Sequence, residues 1–164
     1  MKAKRNIWAF FIISILGTIG HFLYELSGKI AVIGLFFPVN ESTWEHLKLL
    51  FYPALIFFTA EYFLLQNKPK NYVCSSVSSI FVGMISIIIL FYTYQGFVGK
   101  NIDFLNITIY YFSVIITLFT QRILIKNSKA NPNKIFCLIP IIIMAVLFAV
   151  FTFNPPSLGI FAIP

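Results

Sequence analysis

Apolar residues run along this chain in long blocks separated by short polar intervals, and strand-like alternation is absent. The blocks fall at about 7–26, 44–65, 73–94, 104–125 and 135–153. Each is close to the ~20 residues that carry a helix across ~30 Å of hydrocarbon at ~1.5 Å per residue. Lipid offers the backbone no hydrogen-bond partner, so spanning segments of this kind are expected to be helical. The pattern predicts an all-α, polytopic transmembrane bundle of five spans forming a single domain over residues 1–164. Between spans one and two, residues 30–37 are apolar but too short to cross, which predicts a re-entrant or interfacial segment ending at Pro38.

Composition strengthens this picture. Hydrophobic residues make up 59% of the chain and charged residues 10%, with a mean hydropathy of +0.90. A soluble domain of this length has too little interior to hide so much apolar surface. The net charge of +7 is placed asymmetrically and does not call for nucleic acid. Lys2, Lys4, Arg5, Lys68, Lys70, Arg122, Lys126, Lys129 and Lys134 fall on one side of the predicted bundle; Lys29, Lys48 and Lys100 fall on the other. That bias predicts a cytoplasmic N-terminus, an external C-terminus and basic loops facing anionic lipid. The first span begins like a signal peptide, but no small-x-small cleavage site follows, so it is expected to remain as an anchor. Cys74 and Cys137 both lie near cytoplasmic span ends and are expected to be small packing residues, not a disulfide or metal pair.

Candidate chemistry gathers at the opposite ends of the spans. On the first span Ser14, Gly17, Thr18, His21, Glu25 and Gly28 share a face, and the i,i+4 spacing lets His21 and Glu25 touch. His21 lies roughly 21 Å from the inner edge, at a depth where an ionisable group faces protein or water. Ser42-x-x-Glu45 reads as a capping box opening the second span. On that helix His46 points about 100° away from Glu45, which weakens a joint ion site. Pro53 is expected to kink the second span and free a carbonyl one turn earlier for a hydroxyl or water. Glu61 is expected to pair with Arg122 at the inner end. The fifth span, apolar nearly all round, is placed at the lipid rim, with residues 155–164 folded across the bundle mouth.

The run His21-Phe22-Leu23-Tyr24-Glu25-Leu26-Ser27-Gly28, followed by Pro38-Val39-Asn40-Glu41-Ser42-Thr43-Trp44-Glu45-His46-Leu47-Lys48, resembles a family of small bacterial membrane proteins of unknown function. The match is close over the first two spans and looser at residues 94–103 and 154–156. The resemblance implies a bacterial inner-membrane setting, and relatives that continue past the equivalent of Pro164. It carries no activity.

Three functions remain open from the residues. The first is a binding or transport-associated protein with an outward pocket for a small polar or cationic ligand or a lipid head group. Its lining is expected from His21, Glu25, Glu41, Trp44, Glu45, Lys48, Tyr94 and Asp103. The second is a membrane-embedded metal-dependent hydrolase, with His21, Glu25 and one of Glu41, Glu45 or His46 as candidate ligands for a divalent metal such as zinc, leaving an open position for water. The third is a structural subunit in which these groups form a packed polar knot. A serine nucleophile elbow and a phosphate-binding glycine loop are both absent from the sequence.

Overall fold

The computed structural model describes residues 3–127 and 132–163, so Lys2, Lys129 and Pro164 lie outside the described residues. The helices are α1 (Ala3–Leu26), α2 (Ala31–Gly34), α3 (Thr43–His46), α4 (Lys48–Leu64), α5 (Tyr72–Val98), α6 (Asp103–Asn127) and α7 (Lys134–Phe153), followed by a 3-10 turn at Gly159–Phe161. Among the described residues there is no strand. Among the described residues, five segments are long and apolar enough to cross a membrane: Arg5–Leu26, Thr43–Leu64, Tyr72–Val98, Asp103–Asn127 and Lys134–Phe153. The chain is an all-α protein of multi-pass membrane character. The third span runs past Tyr94 to Val98, where Gly99 adopts φ 71° and its N–H closes on the Gln95 carbonyl. A left-handed glycine is a common helix stop.

Small residues set the helix contacts. A side chain at Gly17 would strike the Leu49 carbonyl and the Tyr110 hydroxyl, so α1 lies directly against the backbone of α4. Tyr110 reaches Leu49 O at 3.3 Å and Ile13 O at 3.1 Å. Leu49 is four residues before Pro53, whose missing N–H leaves that carbonyl unclaimed within the helix. The hydroxyl partner expected from sequence is therefore Tyr110. Between α5 and α6, Gly83 faces Thr117, Ser86 bonds Ser113 at 2.8 Å, and Gln121 bonds Ser76 at 2.7 Å. α7 is the least buried of the five spans, in keeping with a position at the rim.

Two expectations at the basic end are corrected. Glu61 pairs with Arg5, not Arg122, and also accepts the Tyr72 hydroxyl; Arg5 in turn donates to Gln121 Oε1 at 2.7 Å. Arg122 is exposed, because its neighbour Gln121 occupies the inward face of α6. Cys74 and Cys137 form a disulfide between α5 and α7, with Cα atoms 5.1 Å apart. The two helices are packed neighbours, a relation that span order alone does not reveal.

Candidate functional site: a histidine–carboxylate cluster at the mouth of the bundle

The loop that enters the second span is built around a buried ion pair. Ser42 caps α3 by accepting the Glu45 N–H at 3.4 Å. The reciprocal half of the expected capping box is missing, since the Ser42 N–H goes to Asn40 Oδ1 at 2.9 Å. Glu45 turns inward instead. Its Oε2 accepts Lys48 Nζ at 2.7 Å and the Val39 N–H at 3.0 Å. Lys48 is fully buried and also donates to Gly34 O at 2.8 Å and Thr152 Oγ1 at 2.6 Å. Thr152 Oγ1 lies 2.9 Å from Glu45 Oε1. One carboxylate and one ammonium thus join the 30–37 segment, α3, α4 and α7. All three ammonium donor positions are used, which is what a buried charge requires.

With the loop fixed, His46 leaves the end of α3 on the other side of the helix. Its Nδ1 is 2.9 Å from the Ser42 carbonyl, and its Nε2 is 3.2 Å from Nε2 of His21 on α1. Glu41, on the loop just before α3, brings Oε2 to 3.3 Å from His46 Nε2 and 3.6 Å from His21 Nε2. One ligand atom from each of the three residues lies within 4.8 Å of the others. The hydrogen bond with His46 lowers the Glu41 carboxyl below its ordinary value of 4.5; partial burial opposes this, and the charges of His46 and His21 add to it. Two glycines bring this part of α1 close to its neighbours: Gly17, one turn before His21, lies against the Leu49 backbone, and Gly20, the residue before His21, lies against Phe37. A side chain at Gly20 would crowd the Phe37 ring.

These groups border a cavity of about 600 Å³. Its lining includes His21, Glu41, His46, Asn101, Asp103 and Asn106, together with Thr18, Thr43, Tyr110, Tyr111 and Ile163 of the tail. Tyr94 stands behind the lining, bonded to Asn101 at 2.9 Å and Asn106 at 2.6 Å.

The expected site residues therefore separate into groups. His21, Glu41, His46 and Asp103 share one cavity. Glu25 does not join His21; it is exposed and pairs with Lys29 at 3.4 Å. Glu45 and Lys48 are sealed in the ion pair. Trp44 is buried against Phe148, Phe151 and Phe161, with ring centroids 4.9–5.6 Å away. Phe161 belongs to the 3-10 turn, so the tail does fold over α3. Sequence offers Glu41, Glu45 and His46 as alternative third ligands; the structure brings Glu41 and His46 together beside His21 and leaves Glu25 and Glu45 apart from them. Tyr111 and Thr43 carried no signal beyond their polarity.

A family model described as a family of unknown function (DUF6512) matches residues 1–163. No curated protein and no solved structure matches the chain. The chain belongs to that family.

Proposed function

We propose that this member of a family of unknown function is a binding or transport-associated membrane protein, whose cavity at the His46 end opens outward and takes a small polar or cationic ligand. The observation that carries the reading is the gathering of Glu41, Asp103, two imidazoles and two side-chain amides around one volume in a chain with so few charges. Ionisable groups near a bilayer are costly unless they face protein, water or a ligand. Two carboxylates favour an ammonium group, whether free or on a lipid head group. The asymmetry of basic residues supports a cytoplasmic N-terminus, and the His21–Lys48 signature supports a bacterial cytoplasmic membrane as the setting.

The test is thermal unfolding of the detergent-purified protein against a panel of choline, ethanolamine, polyamines and short-chain phospholipids, with chelator present throughout. A ligand at about one hundred times its Kd stabilises by ~2.7 kcal/mol. That gain is expected to shrink in Asp103→Asn and Glu41→Gln. A panel that leaves the wild-type melt unmoved, or moves all variants equally, contradicts the reading. The triangle of His21, Glu41 and His46 favours a second reading, in which a metal takes part.

A further inference from the structure

Three ligand-capable atoms converge at one corner of the cavity, and their geometry is that of a coordination site. The Ser42 carbonyl oxygen only accepts, so His46 Nδ1 carries the proton of that 2.9 Å contact. In the neutral ring, Nε2 is then left with its lone pair, aimed at Nε2 of His21 and at the Glu41 carboxylate. Three electron-rich atoms facing one another at 3.2, 3.3 and 3.6 Å repel unless a proton or a cation lies among them. Zinc holds imidazole nitrogen and carboxylate oxygen at about 2.0–2.1 Å in tetrahedral sites, which separates neighbouring ligand atoms by about 3.3–3.4 Å. The observed triangle has edges of that size. An imidazole that donates its far N–H to a backbone carbonyl is also the usual orienting contact of a metal-bound histidine.

We infer that His21 Nε2, His46 Nε2 and a Glu41 oxygen bind a divalent transition metal of the zinc class, with the fourth position directed into the cavity. This rests on the cavity reading above and deepens it: water, or an oxygen of the bound molecule, completes the coordination, and the molecule's ammonium group is left to Asp103. Three protein ligands with one open position are the arrangement of sites that do chemistry or exchange ligands, whereas closed four-ligand sites serve structure. Asp103 lies at the border of the same volume, outside the triangle. It is placed to meet the ligand, not the ion.

The experiment is metal analysis of the full chain, purified in detergent without a polyhistidine tag and equilibrated with zinc, alongside the visible absorption of cobalt-loaded protein. About one zinc per chain and a tetrahedral cobalt spectrum are expected for wild type. Both are expected to be lost in His21→Gln, His46→Gln and Glu41→Gln, and kept in Glu25→Gln and Asp103→Asn. Thermal melts in chelator show that each variant is folded. Glu41 is the decisive position, because its side chain is 64% exposed and its amide removes no packing. No stoichiometric metal in wild type, or occupancy that survives Glu41→Gln and His46→Gln, overturns the inference. A ligand that shifts the chelated protein while zinc fails to bind leaves the cavity reading standing alone. Zinc binding with no ligand response removes the cavity reading and keeps the ion.

Discussion

Lys48→Met removes the cation that Glu45 holds in a fully buried site. A lone buried carboxylate costs about 3–5 kcal/mol, whereas replacing both partners of such a pair is often close to neutral. The single variant is therefore expected to lose stability of that order in detergent unfolding, and Glu45→Gln/Lys48→Met to recover much of it. Equal losses in the single and double variants would mean that the pair holds no more than its packing. The same scale shows how far single residues were legible. Glu25 has two i,i+4 neighbours, His21 and Lys29, and helical spacing fits either. The structure selects the opposite charge at the exposed helix end. The 100° offset between Glu45 and His46 was readable, and it does separate them into an ion pair and a cavity. Glu41 lay on a loop, where no period indicates direction.

Helix contacts depend on a few positions without side chains. Gly17→Ala drives a methyl group into the Leu49 carbonyl, a backbone atom that cannot rotate away. Overpacking of this kind costs about 1–3 kcal/mol, and here it is expected also to weaken zinc retention, because α1 carries His21. At Gly83 the obstacle is the Thr117 side chain. Gly83→Ala is expected to destabilise, and Thr117→Ala to relieve it in a double-mutant cycle; strictly additive effects would place the two helices farther apart than described. The spans themselves were plain in the sequence, because each apolar block is by itself about as long as the hydrocarbon is thick. The carbonyl freed by Pro53 was foreseen in kind, although the partner that Leu49 finds, Tyr110, lies 61 residues away. The Arg5–Glu61 pair and the disulfide were not legible. Both depend on which helices become neighbours, and apolarity toward lipid does not encode that order.

For the whole molecule, the charge bias and the disulfide point in different directions. Basic loops mark a cytoplasmic face, while disulfides persist mainly in oxidising compartments. On the proposed orientation, the Cys74–Cys137 pair is a dithiol in growing cells and closes on isolation, so alkylation in intact cells is expected to label both thiols. Protection in cells would reverse the topology and place the His46 end inside. Whichever way the bundle points, its chemistry is concentrated at one mouth, where α1, the 38–42 loop, α3 and the tail converge.

The most direct measurement of that claim is an anomalous-difference map at the zinc edge from zinc-equilibrated crystals of the intact chain. The expected result is one peak inside the triangle of His21 Nε2, His46 Nε2 and Glu41 Oε2, about 2.0–2.2 Å from each ligand atom. An empty triangle, with the two imidazoles and the carboxylate turned toward separate surfaces, would contradict the account.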